Sequence, residues 1–137
     1  MIFVDASAIV TVLGGEASAD KVIDCLESSQ DLIISPVAIF EAAVALTRIF
    51  KCTPEEASTR VVTFLDEAGV ATIPIDFNLA LLAVEAFQAY GKGRHPAKLN
   101  LGDCFAYAGA RANNAELLFI GNDFTKTDVT SALTTPT

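Results

Sequence analysis

Four carboxylates stand at positions where a parallel sheet would gather them, although they are far apart in the sequence. They are Asp5, Glu41, Asp103 and Asp123. Asp5 directly follows the first short apolar run, and Asp123 follows the last one. In open parallel sheets, ligands bind beyond the carboxyl ends of the strands, at the point where the strand order reverses. We therefore expect the four side chains to share one site.

A shared site of this composition predicts a divalent metal. Two carboxylates about 4 Å apart repel each other by on the order of 4 kcal/mol at an effective dielectric near 20. The sequence offers no matching cation beside them, so protonation or a bound metal must relieve the repulsion. Oxygen ligands favour Mg²⁺, with Mn²⁺ as a substitute, over zinc. The chemistry that this implies is metal-assisted hydrolysis of a phosphodiester bond.

Glu41 gives the strongest support for a bound metal, because it interrupts a segment that is apolar nearly all round. The segment runs from Pro36 to Leu46 and reads as a buried helix. The neighbours of Glu41 at helical spacing are Ala and Val residues, so no cation can pair with it locally. The alternative is a glutamate that reaches solvent at the rim of the helix. A buried carboxylate without a partner predicts that something positive binds there.

The other three acids each have a structural alternative. Asp5 could cap the helix that begins near Ser7. Asp103 has the spacing of a capping box with Asn100, and the helix dipole favours a carboxylate there. Asp123 could be an ordinary turn residue. These roles are compatible with metal binding, since a helix amino terminus can orient a ligand carboxylate while being stabilised by it.

Positive charge is concentrated in one loop that leads into Asp103. The chain has nine Lys and Arg residues and a formal net charge of −8, which in general argues against nucleic acid as a partner. Three of the nine lie in this loop together with the only histidine: Lys92, Arg94, Lys98 and His95. A solvated charge run is the alternative. We predict that the loop holds phosphates of the substrate. His95 is then an ordinary loop residue or a phosphate contact, and the alternative is a general acid for the leaving oxygen.

The elements that must position these residues follow a β-α-α-β-α-α-β-α-α-β pattern. This pattern predicts a mostly parallel sheet with helices on both faces, as one α/β domain over residues 1–137 with residues 130–137 as a flexible tail. The first and fourth strands should be neighbours at the switch point. The predicted strands cover 2–4, 32–34, 70–75 and 117–120, and the predicted helices cover 7–13, 18–28, 36–50, 53–68, 76–90 and 101–112. Ser35 followed by Pro36 predicts the start of the third helix, and Thr53 with Glu56 predicts a capping box at the fourth, in which Glu56 returns a hydrogen bond to the Thr53 backbone N–H.

Composition limits the setting in which the protein works. A chain of 137 residues forms one core, and a hydrophobic fraction of 52% indicates either an unusually apolar core or apolar surface that a partner covers. No apolar run approaches the ~18 residues needed to span a bilayer, and the start lacks signal-peptide features. Three scattered cysteines fit a reducing compartment. We expect a soluble cytoplasmic protein that does not associate with membranes.

Five motifs together resemble the PIN-domain ribonucleases of the VapC toxin type. The motifs are Val4-Asp-Ala-Ser-Ala8, Phe40-Glu-Ala-Ala43, Tyr90-Gly-Lys-Gly-Arg-His-Pro-Ala97, Leu99-Asn-Leu-Gly-Asp-Cys-Phe-Ala-Tyr107 and Gly121-Asn-Asp-Phe-Thr-Lys-Thr-Asp128. The resemblance implies a three-layer α/β/α fold, Mg²⁺-dependent endoribonuclease activity, a homodimer, and a small antitoxin that occupies the active-site cleft and also binds DNA.

Carried over position by position, the family's acids fall on the quartet already singled out, and its small hydroxyl falls on Ser7, which we predict to contact substrate. One departure is Ile120, where a Lys is common beside the Gly-Asn-Asp-Phe motif. The resemblance therefore implies less positive charge near the substrate in this chain.

Two other kinds of protein also place acids after the first strand, and the sequence fits neither. A phosphoaspartyl hydrolase also carries an Asp after its first strand, but it needs a second acid where this chain has Ser7; a receiver domain needs paired acids there. The remaining alternative is a catalytically weak or inactive module of the same fold that binds RNA or a protein partner.

Overall fold

The structure, a computed structural model, describes residues 1–133 and shows a four-stranded sheet. The strands are β1 (Ile2–Val4), β2 (Leu32–Ile34), β3 (Val70–Thr72) and β4 (Glu116–Leu118). Their order is β3-β2-β1-β4, and all three pairings are parallel. The chain moves from β1 to one side for β2 and returns to the other side for β4. The switch point therefore lies between β1 and β4, which confirms that these strands are neighbours.

Six helices cover the two faces of the sheet. They are α1 (Ala6–Leu13), α2 (Ala19–Glu27), α3 (Pro36–Phe50), α4 (Pro54–Ala68), α5 (Phe77–Tyr90) and α6 (Leu101–Ala112). Helices α1 to α4 enclose one core, which includes Val4 and Ile34; α5 and α6 enclose the other, which includes Phe3 and Leu117. The predicted three-layer α/β/α architecture is thus confirmed. Within residues 1–133, none of these helices combines the length and apolarity needed to cross a membrane.

Most helix starts follow the predicted caps, with one correction. Ser35 accepts a hydrogen bond from the Ala38 amide, and Pro36 occupies the first helical position. At α4, Thr53 accepts from the Glu56 amide as expected, but Glu56 does not return a bond to the Thr53 backbone. Its carboxylate instead accepts from the Thr53 hydroxyl at 3.1 Å. The second half of the predicted capping box is therefore wrong.

Two strand boundaries also differ from the prediction. β3 ends at Thr72. Ile73 still donates one backbone bond to Ile34, but Pro74 has no N–H with which to continue the ladder towards Ile75. β4 ends at Leu118 instead of Ile120, because the Ile120 N–H donates to the Ser7 hydroxyl and not to a strand. Apolarity alone could not show where these ladders stop.

Helix α3 is less buried than its sequence suggested. Ala38, Ala42 and Leu46 face the core, whereas Phe40 is 70% exposed. The apolar composition of α3 thus reflects two surfaces, one packed within this chain and one open. The prediction of a helix buried all round is wrong.

The carboxyl-terminal segment begins alongside β4. Leu117 donates to the Thr130 carbonyl at 2.9 Å, and Ala132 donates back to the Leu117 carbonyl at 2.9 Å. The predicted flexible tail, residues 130–137, therefore starts in residues with backbone hydrogen bonds, and its last four residues lie outside the described part.

Candidate active site

Asp5 lies at the carboxyl end of β1 and is buried. Its amide donates to the Leu118 carbonyl at 3.0 Å, and its side chain is only 7% exposed. The carboxylate Oδ2 accepts from the Ser7 amide at 3.1 Å and from the Ser7 hydroxyl at 2.6 Å. Burial raises the pKa of Asp5, the hydrogen bonds from Ser7 oppose this, and the charge of Asp123 adds to the increase. Asp5 therefore caps α1 and also faces another acid of the quartet.

Ser7 connects the ends of β1 and β4. Its hydroxyl donates to Asp5 and accepts from the Ile120 amide at 3.0 Å. Both bonds hold Asp5 in one orientation beside the segment that leads to Asp123. The contact of Ser7 with substrate stays a prediction.

Asp103 lies in the first turn of α6 and forms the predicted capping box. Its amide donates to Asn100 Oδ1 at 2.9 Å, and its Oδ2 accepts from the Asn100 amide at 3.1 Å. The pKa of Asp103 is raised to about 6, chiefly by burial. The hydrogen bond from the Asn100 amide opposes this increase, and the charges of Asp123 and Asp5 add to it. The cap thus aims this carboxylate towards the other acids.

Glu41 reaches the same cleft from α3. Its carboxylate rests directly on the backbone of Gly102, where a β-carbon would overlap it. Burial raises the pKa of Glu41 to about 7, and the charges of Asp5 and Asp103 contribute to the increase. Because Gly102 has no side chain, the Glu41 carboxylate can pack against the start of α6 and reach the cleft.

Asp123 completes the set from the exposed turn after β4. Its charge contributes to the raised pKa of Asp5 and of Asp103. The charges of Asp5 and Asp103 in turn contribute to the raised pKa of Glu41. The structure thus brings all four predicted acids to the carboxyl end of the sheet, although they come from four separate segments.

The chemistry of these acids fits a hard divalent cation, because carboxylate oxygens are the ligands that such an ion prefers. Within residues 1–133, every charged group that shifts the pKa of Asp5, Glu41 or Asp103 is another carboxylate. As placed, no three His, Cys, Asp or Glu side chains in this part of the chain converge into a complete metal-binding cluster. A full cage is not required, since Mg²⁺ binds through one or two carboxylates and keeps several waters. An uncompensated set of oxygen ligands is what such an ion requires.

The basic loop packs mainly against α5 and its own residues. The Arg94 guanidinium lies 5.6 Å from the centre of the Phe87 ring, and the His95 ring meets Tyr90 edge to face at 5.0 Å. His95 Nδ1 accepts from the Ala97 amide at 3.0 Å. Lys92 and Lys98 are exposed. These contacts fix the loop near the start of α6, and its role in holding phosphate stays a prediction.

One contact that sequence reasoning did not single out ties the segment after Asp123 to α6. The Tyr107 hydroxyl donates to Asp128 Oδ1 at 2.5 Å, and Arg111 pairs with Asp128 Oδ2 at 3.1 Å. The hydrogen bond from Tyr107 lowers the pKa of Asp128. Tyr107 lies one helical turn beyond Asp103, and Asp128 lies five residues beyond Asp123. The available signal was that both residues belong to the two motifs that carry those acids.

The fold and the acid cleft define a class: parallel α/β domains with a carboxylate site at the switch point. Residues 2–129 match the family model described as "PIN domain". A VapC ribonuclease of Rhizobium meliloti is 37% identical over 141 residues, covering 94% of this chain and 99% of that protein. Ribonuclease VapC42 of Mycobacterium tuberculosis is 38% identical over 132 residues, covering 96% and 98%. The chain therefore belongs to the PIN-domain family and is of the VapC type.

Solved structures share the same fold. Mycobacterium tuberculosis VapC20, described as a toxin that cleaves the sarcin-ricin loop, matches with a TM-score of 0.73 at 17% identity, covering 94% of this chain and 96% of that one. VapBC2 of Rickettsia felis, bound to a DNA fragment from its promoter, matches with a TM-score of 0.73 at 16% identity, covering 96% of each chain.

Proposed function

We propose that this protein is a metal-dependent endoribonuclease and the toxin of a toxin–antitoxin pair. The observation that carries the proposal is the cleft that Asp5, Glu41, Asp103 and Asp123 share, where the charged groups of residues 1–133 that act on the buried acids are all carboxylates. Relatives named as ribonucleases, aligned over nearly the whole chain, support RNA as the substrate.

Within this proposal, Asp5 and Asp103 contribute most to holding Mg²⁺, or Mn²⁺ in its place. Each is fixed by a local hydrogen bond at Oδ2, from Ser7 or from Asn100. Glu41 and Asp123 complete the site and orient water. A bound divalent ion supplies activation of water and neutralisation of phosphate charge. Ser7 keeps Asp5 in position, while Lys92, Arg94, His95 and Lys98 contact RNA phosphates.

The partners follow from apolar surface that the chain leaves open. Phe40 and Leu101 are exposed around a cavity that also includes Glu41, and Phe77, Leu81 and Val84 form an exposed stripe on α5. Exposed apolar surface of this kind marks an interaction site. We assign it to a homodimer and to a small antitoxin; a toxin–antitoxin complex from Klebsiella pneumoniae shares the fold of this chain. We place the protein in the cytoplasm.

RNA cleavage by the purified chain tests the function. We expect cleavage in millimolar Mg²⁺ or Mn²⁺, none in EDTA, and recovery when Mg²⁺ is added back. Light scattering of the same sample should give the mass of a dimer. RNA binding without cleavage in any metal would favour the inactive module instead, and cleavage that continues in EDTA would contradict the metal site.

Gly102→Ala is expected to reduce cleavage without destabilising the fold. The new β-carbon would overlap the Glu41 carboxylate, which lies at the end of a flexible side chain and can move away. Replacing a helical glycine by alanine otherwise favours the helix by about 1 kcal/mol. We expect cleavage to fall about 10-fold or more with a melting temperature that is unchanged or slightly raised, measured by single-turnover assay and calorimetry.

Gly109→Ala on the same helix is the matched control. Its β-carbon would overlap the ring of Phe3, which is completely buried. We expect this variant to lose melting temperature while the folded fraction cleaves normally. If Gly102→Ala behaved like Gly109→Ala, the glycine at 102 would serve packing alone.

A further inference from the structure

A cavity of about 490 Å³ opens where the chain leaves β4, between the start of α2 and residues 119–133. Its size lies within the range of small-ligand pockets. We propose that this cavity binds one unpaired nucleotide of the RNA beside the bond that is cleaved, with Lys21 holding its phosphate. The proposal rests on the nuclease function proposed above and adds a subsite to it.

The chain and one hydrogen bond join the wall of the cavity to the acid cleft. Ile120, Gly121 and Asn122 line the cavity, and Asp123 follows them directly. The Ile120 amide donates to the Ser7 hydroxyl at 3.0 Å, which donates to Asp5 at 2.6 Å. One hydroxyl group therefore separates the cavity wall from a buried carboxylate of the site. RNA with a phosphate at the acids enters the cavity with its adjoining nucleotide.

The charge of the cavity is opposite to that of the protein as a whole. The chain has a net charge of −8, yet among the described residues that line this cavity Lys21 is the cation and there is no Asp or Glu. Within residues 1–133 the one ion pair joins Arg111 to Asp128, so Lys21 makes no ion pair. Ile120 contributes no charge at this edge. Lys21 therefore supplies the cation that a phosphate needs beside four acids.

The other walls suit a base and a sugar. Phe119 presents a half-buried aromatic ring, which can stack on any base. Asn122 and Thr125 add an amide and a hydroxyl for hydrogen bonds. Ser18, the N-cap of α2, also lines the cavity, and its side chain makes no capping bond. Recognition of RNA through stacking and unpaired edges requires this mixture of groups.

Two substitutions test the proposal through different physical effects. The affinity of a fluorescent six-nucleotide RNA is measured by anisotropy in Mg²⁺, in an Asp5→Asn background that prevents cleavage. We expect Lys21→Ala to weaken binding about tenfold and to reduce the slope of log affinity against log salt by about 0.7, the value for one phosphate contact on a single strand. We expect Ser18→Phe, which fills the space and costs α2 no cap, to weaken binding without changing that slope.

Lys126→Ala is the control, because Lys126 is an exposed cation of the same segment that does not line the cavity. It should leave affinity and slope unchanged, and all variants should keep the wild-type melting temperature. An unchanged affinity in Lys21→Ala, or an equal loss in Lys126→Ala, overturns the subsite even if the wild-type protein cleaves RNA. If the wild-type protein neither binds nor cleaves RNA, the nuclease function itself fails.

Discussion

Asp5→Asn is expected to abolish RNA cleavage while leaving the metal-free protein at least as stable as the wild type. An asparagine can still accept from the Ser7 amide and hydroxyl, so the cap of α1 is kept. The substitution also removes a buried negative charge that lies near Asp123. Cleavage should fall by at least about 10²- to 10³-fold, the scale for loss of one electrostatic group from an active site. In EDTA the melting temperature should stay level or rise by up to about 4 °C.

Asp5→Ala is the matched control, because it removes the charge and the cap together. It should be as inactive as Asp5→Asn but less stable by about 1 kcal/mol, the usual cost of losing an N-cap. Single-turnover cleavage and calorimetry in EDTA separate the two effects. A large loss of melting temperature in Asp5→Asn would show that the charge itself is structural, and retained cleavage would remove Asp5 from the catalytic set.

The metal-free protein is expected to lose stability as the pH rises from 5 to 8. The pKa of Glu41 is raised from 4.5 to about 7 and that of Asp103 from 3.8 to about 6, so the folded state binds protons more tightly than the unfolded chain. The stability that comes from these protons is complete below pH 4 and is lost as the pH passes through 6 and 7. Because both groups are only half-buried, solvent screening reduces the effect to about 2 kcal/mol.

Urea unfolding in EDTA at pH 5 and pH 8 measures this loss, and Glu41→Gln isolates its source. The variant should lose most of the difference between the two pH values. Added Mg²⁺ should restore stability at pH 8 and do little at pH 5, where protons compete for the same oxygens. Greater stability at pH 8 than at pH 5 in EDTA would contradict an uncompensated acid site.

Local features of the chain were predictable because they depend on neighbours in sequence. The caps at Ser35 and Asn100 formed as expected, since a capping side chain needs only the amide three residues ahead. The strand order around β1 followed from the rules for parallel connections. The point at which a strand ends depends on residues that are distant in sequence. β4 ends before the predicted residue because the Ile120 amide donates to the Ser7 hydroxyl.

By itself, the sequence determined the four acids, the helices and strands that carry them, and the family, because each depends on residue type at fixed spacing. Only the tertiary structure decided that Gly102 makes room for Glu41, that Phe40 is exposed, and that Lys21 lines a cavity beside the acid site. Lys21 and Ile120 are 99 positions apart in the chain. Residues this far apart line one cavity because α2 packs into the same core as the end of β4, which no local pattern encodes.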